Sequence, residues 1–258
     1  MSVDAAEAEG RGAPAAETSG TFETFPAQST ESDTEEPSAL SAVVGDYELR
    51  SEGGEFRLLD GDGNETARGS LAEAIAALPS AGARVTFSSV TLTETLTLSA
   101  KRLSILGTLT FADGAGLILS DGTSAEIAGA TLRFSDGGIR VKEGTLPLSA
   151  GHIESTGCAV TLDYASDALF RMTGGEILTA GENAAVKNLL GTVTLTGGAV
   201  RNTEGVAVYS AGTLRLGGSA LLSGKEVDAA ATLPITLTAE NVPFSGTVRV
   251  RLLTSFQM

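Results

Sequence analysis

The chain has 258 residues, including 32 glycines and no tryptophan, with 5% aromatic and 42% hydrophobic residues and a formal net charge of -15 at neutral pH. This composition implies a core of Leu, Val, Ile and Ala with many tight corners, and few large aromatic-lined pockets are expected. No basic stripe is present and an acidic surface repels phosphates, so neither nucleic acid nor membrane is expected as a partner.

Cys158 is the only cysteine; an intramolecular disulfide and a cysteine-cluster metal site are therefore excluded. No apolar run is long enough to cross a bilayer, and the first thirty residues lack the apolar core of a signal peptide. No cofactor is expected.

Residues 1–45 carry nine acidic residues against Arg11 alone, about half of the charge imbalance. With little apolar content and no sustained period, residues 1–42 are expected to form a disordered acidic tether. Residues 43–69 predict a short β-hairpin region, with turns at Gly53-Gly54 and at Asp60 to Asn64. Residues 70–79 predict a capping helix: Ser70 and Glu73 have capping-box spacing, Leu71, Ile75 and Leu78 share one helical face, and Pro79 stops the helix. Its expected role is to cover the open end of a stack of strands formed by the rest of the chain.

Residues 80–258 repeat. Anchors at Ile105, Ile127, Leu148, Met172, Leu195, Leu216 and Leu237 are spaced by 22, 21, 24, 23, 21 and 21 residues. Two positions before each anchor lies an apolar residue, from Leu103 and Ala125 through to Ile235. Alternate positions on a strand share a face, which places both columns inside. Two positions after each anchor only glycine or alanine occurs: Gly107, Gly129, Ala150, Gly174, Gly197, Gly218 and Ala239. Five after, from Ile127 onward, come Leu132, Ile153, Ile177, Val200, Leu221 and Val242, with Thr110 the departure after Ile105. A further strand precedes each anchor at a variable distance.

The pattern predicts an all-β chain: a single-stranded parallel β-helix of three short strands per coil, 21–24 residues per coil. Seven coils would make a rod roughly 35 Å long. The C-terminal SGTVRVRLLTSFQM shows no polar cap, so a further domain or a partner is expected at that edge.

Over residues 70 to about 245 the chain resembles the right-handed parallel β-helix proteins of the pectate-lyase-like superfold. More closely, the SLAEAIAALPSAGARVTFSSVTLTETLTL segment and the TGGEI and TGGAV corners are similar to bacterial extracellular repeat proteins. In these a long β-helix serves as a surface stalk or adhesin. The resemblance implies right-handed coiling, an extracellular or cell-surface location, and a non-catalytic module that binds a glycan or protein ligand on its strand faces or corner loops. A carbohydrate-active β-helix enzyme, a polysaccharide lyase or glycoside hydrolase, is the alternative; a purely structural spacer is the second.

Polysaccharide cleavage needs clustered carboxylates. Asp121, Asp163 and Asp167 fall near the variable loops. His152 and Glu176 share the column four after their anchors, where an acid and base pair could form on neighbouring coils. Arg133 and Glu154, six after theirs, suit a cross-coil ion pair. Asp60, Asp62 and Asn64 match the first three ligands of a calcium loop, but Glu65 replaces its turn glycine and Leu71 its final glutamate, so a plain turn is expected and no metal site is assigned. Cys158 is read as a small core residue at the start of an inward-pointing strand.

Overall fold

A computed structural model describes residues 45–80 and 82–253; the expected acidic tether lies outside them. The chain first makes a three-stranded antiparallel meander of β1 (Asp46–Glu52), β2 (Glu55–Asp60) and β3 (Glu65–Gly69). Gly53 and Gly54 form its first turn at φ of 64° and 87°, the left-handed region that glycine enters without strain.

The helix α1 (Leu71–Ala77) begins at a complete capping box: the Ser70 hydroxyl accepts from the Glu73 N–H, and the Glu73 carboxylate accepts from the Ser70 N–H at 2.8 Å. Leu71, Ile75 and Leu78 are 3%, 5% and 2% exposed and join the solenoid core. The helix carries no basic residue in its last turn. Lys101, from the first coils, supplies that charge by donating to the Ala76 and Leu78 carbonyls.

The N-terminal end is closed by two elements with different tasks. The helix covers the apolar interior, while β1 pairs in parallel with β4 (Ala83–Leu92) and satisfies the backbone edge that a helix cannot. Glu48 of β1 accepts two hydrogen bonds from Arg50 and one from Ser88 on the first coil, and these bring its pKa down to about 2.

From β4 onward the chain is a parallel β-helix. One sheet runs from the meander through β4, Arg102–Phe111, Thr123–Phe134 and Gly144–Ser155, then continues as two rows of shorter strands; a second has eight strands among the described residues, from Leu96–Ser99 to Val250–Leu252, and Thr238–Ala239 with Val242–Pro243 makes a third, two-stranded one. Successive coils pair in parallel, with Ile105 opposite Ile127, Ile127 opposite Leu148, Leu148 opposite Met172, Met172 opposite Leu195, and Leu195 opposite Leu216. Val85, opposite Ile105, begins the column one coil earlier. All these anchors are at most 2% exposed, and full burial of such a side chain contributes about 1.5–3 kcal/mol.

The structure corrects several details. Three separate strands per coil hold only from Leu169 onward; in the four coils before that, the first two strands merge into one strand of 10 to 12 residues. Each merged strand carries a register irregularity at the small-residue corner, so the corner there is a bulge rather than a break. At Thr110 the aliphatic column shifts by one: Leu109 pairs with Val90 and Leu132, and Thr110 points outward. At the other end Leu222, not Leu221, continues the column opposite Val200; Leu221 is 43% exposed.

The last coil departs further. Arg215 bridges Thr236 in the expected register, but Leu237 is 52% exposed, and Val242 turns back to pair antiparallel with Ala239. No described coil lies beyond Leu237 to bury it. The last described strand, Val250–Leu252, pairs with Ala229–Ala231 and is exposed along its length.

Asp228 holds this end. Burial alone would raise its carboxyl, but hydrogen bonds from the Arg249 guanidinium, the Arg249 N–H and the Gly224 N–H outweigh burial and lower it below the ordinary 3.8. A depressed folded pKa contributes stability that is complete above the ordinary aspartate range and lost as pH falls through the folded value. Asp228→Asn is therefore expected to speed amide exchange in Ala229–Ala231 and Val250–Leu252 at neutral pH. Wild type should reach the same fast exchange, corrected for intrinsic rates, only on acidification below 3.8. Equal protection in both proteins at neutral pH would refute this role.

Candidate functional site

The register puts His152 opposite Glu176 and Arg133 opposite Glu154. Together with Arg201 these residues form one outward ladder over four coils. Arg133 Nε lies 3.0 Å from Glu154, Glu154 lies 2.9 Å from His152 Nε2, His152 Nδ1 lies 3.5 Å from Glu176, and Glu176 lies 3.0 Å from Arg201 Nε. Spacing along the sequence points to the cross-coil contacts; the contact of His152 with Glu154 arises because residues two apart on a strand share a face.

Burial alone would raise the Glu154 carboxyl, but hydrogen bonds from Arg133 and His152 prevail and hold it below its ordinary range. Each glutamate is thus paired with an arginine and with the imidazole. Side-chain exposures in the ladder run from 26% to 51%, so each pair is worth under about 1 kcal/mol. The ladder neutralises its own charge and locks adjacent coils.

Beside it runs a shallow trough of about 390 Å³, bordered by Arg133 and Glu154 and by Thr110, Phe134, Leu178 and Ala180. Thr110, Arg133, Glu154 and Leu178 are partners in successive coils, so the trough spans three coil steps, roughly 14 Å. A second depression of about 340 Å³ lies over Glu182, Glu204 and Glu226, one from each of three successive coils, with Lys225 2.7 Å from Glu204 and Arg251 3.8 Å from Glu226.

The remaining candidates do not join the ladder. Asp163 is bound by Arg140 at 2.9 and 3.1 Å beside the other sheet, and Asp167 is exposed on the loop after it. Asp121 accepts from the Ser99 and Ser120 hydroxyls. Asp60 turns its Oδ1 to the N–H groups of Asp62 at 3.0 Å and Asn64 at 2.8 Å, which lowers its pKa and commits the carboxylate to the β2–β3 turn. Among the described residues no group of three or more His, Cys, Asp or Glu side chains is placed to hold a metal ion.

Cys158 precedes the strand Val160–Leu162 rather than opening it, and is half-buried. Its thiol donates to the Val160 carbonyl at 3.3 Å, and burial raises its pKa. Modification by a thiol reagent at pH 8 is expected to be at least ~10-fold slower in the folded protein than in denaturant, as followed by absorbance; equal rates would refute the assignment.

Polar residues inside the coils were not anticipated from the sequence. The column Leu92, Phe111, Phe134 continues as Ser155, Thr179 and Asn202, all buried. Asn202 accepts from the Glu204 and Gly205 N–H groups and donates to the Val206 carbonyl, which fixes that corner. Asn188 and Ser210 stack likewise on the other sheet, with Asn188 Nδ2 3.0 Å from the Ser210 hydroxyl. Their signal was the period-2 position after Val186 and Val208.

No family model, no curated protein and no solved structure matches this chain.

Proposed function

We propose that the chain is a non-catalytic β-helix module, related to the pectate-lyase-like β-helices, that works as an adhesin-like binding or stalk domain of a secreted or cell-surface bacterial protein. The observation that carries this reading is how the outward charges are used. Arg133 and Glu154, Arg140 and Asp163, Glu176 and Arg201, and Glu204 and Lys225 each join one coil to the next. Carboxylates committed in this way brace a stack and leave sheet faces and corner loops as contact surface. The bacterial surface setting rests on the likeness of the helix segment and TGG corners to surface repeat proteins.

Glycan-array and cell-binding measurements on the full chain test the proposal, with saturable binding expected. Binding to no glycan and no cell surface would leave the spacer role. Release of reducing ends or unsaturated products from acidic polysaccharides would overturn the non-catalytic reading in favour of a carbohydrate-active enzyme.

A further inference from the structure

We infer that the trough along Thr110, Arg133, Glu154 and Leu178 is a binding site for a short neutral glycan lying along the solenoid axis. This rests on the adhesin-like reading above and names its ligand class and its place.

The first argument is shape. The trough holds about 390 Å³ and extends over four coils. Its length of roughly 14 Å accommodates two to three pyranose rings, and its volume lies in the range of small-ligand sites.

The second argument is chemistry. At the centre, Arg133 and Glu154 sit 3.0 Å apart and remain 51% and 39% exposed. They offer planar donors beside carboxylate acceptors, the complement of two neighbouring hydroxyls. Leu178, half-buried in the same outward row, and the exposed Ala180 give an apolar floor for the C–H face of a sugar ring. The Thr156 hydroxyl, on the flank, already donates to the Ser135 carbonyl and keeps its lone pairs as acceptors.

The third argument is charge. Arg133 is balanced by Glu154, and Arg201 by Glu176 with His152 between the two glutamates. Of the ladder charges only Arg133 and Glu154 line the trough, so an anionic ligand would meet the Glu154 carboxylate and a cationic one the Arg133 guanidinium. A hydroxyl-rich neutral ligand meets neither penalty.

The test uses the full chain against neutral di- to tetrasaccharides on an array, followed by titration calorimetry of the strongest binder. Leu178→Glu and Arg133→Ala are each expected to weaken binding about tenfold or more, while Lys187→Ala on the other sheet leaves it unchanged. Melting curves check that the variants fold; Ala180→Arg, at an exposed position, is the substitute should Leu178→Glu fail to fold. Undiminished binding in the folded trough variants would overturn the site and leave the adhesin-like reading standing. Binding confined to anionic glycans would also overturn the neutral-glycan assignment. Absence of any glycan binding would overturn the site and remove the glycan ligand from the proposed function as well.

Discussion

Met172→Glu is expected to abolish the cooperative solenoid fold. Met172 is fully buried and stacked between Leu148 and Leu195, the anchors of the coils on either side. Its terminal methyl fills the space beside Gly198, where an added Cβ would come within 2.5 Å of it. A glutamate there must either bury a carboxylate among Leu, Phe and Val side chains or take up a proton, and no donor of the column is placed to pair with it. The cost is about 4 kcal/mol or more, against a total stability of roughly 5–15 kcal/mol for a domain. Because a solenoid is held by contacts between neighbouring repeats, loss at a central coil uncouples those on both sides. Circular dichroism should show no cooperative melt at neutral pH, whereas Met172→Leu, which nearly conserves volume, should cost under about 1.5 kcal/mol. A Met172→Glu protein melting like wild type would disprove the stacked interior.

Gly197→Val is expected to lower the melting temperature by roughly 10 °C, from a loss of about 3 kcal/mol or more. The reason is proximity of backbone: a Cβ at Gly197 would lie 2.3 Å from the carbonyl oxygen of Thr173 in the preceding coil, which cannot move without breaking the ladder. Gly174 faces Ser149 O at the same 2.3 Å, so Gly174→Val should behave alike. Gly129 occupies the same column two coils before Gly174 but has nothing within 4 Å of its Cβ position, and its φ is 125°. Gly129→Ala therefore pays only for backbone conformation, about 1–3 kcal/mol. Differential scanning calorimetry on the three variants should rank Gly129→Ala as the mildest. An unchanged melting temperature for Gly197→Val would contradict close coil contact at the corner.

The anchor column, the column two before it and the small-residue corner were legible in the sequence because each is a single-residue requirement repeated at nearly constant spacing. The same held for the capping box, a local interaction of Ser70 with Glu73. Leu221 illustrates the limit. Spacing placed it inside, but the register puts Leu222 there, since the corner after Gly218 takes one more residue and a one-residue slip exchanges the two faces of a strand. Thr110 and Leu109 show the same slip in the opposite direction. The merging of strands through bulges was equally hidden, because a Gly or Ala corner reads alike whether the ladder bends or breaks.

For the candidate site, the sequence paired His152 with Glu176 and Arg133 with Glu154 as two separate column matches. Their union into one ladder depends on side-chain rotamers that bring His152 to Glu154 and carry Arg201 back to Glu176, and rotamers are not written in spacing. The trough was likewise invisible, since a hollow is defined by what neighbouring coils leave unfilled. Asp163 sat among the candidates through loop position alone, and the fold gives it to Arg140.

The sequence by itself therefore determined a parallel β-helix, its coil length, its apolar anchor columns and the position of its small-residue corners, because stacking imposes nearly the same rule on successive coils. Tertiary structure alone decided how the N-terminal edge is closed by β1, which outward charges pair, and where a trough opens. These features arise from contacts between residues that no period relates, so only the assembled coils could reveal them.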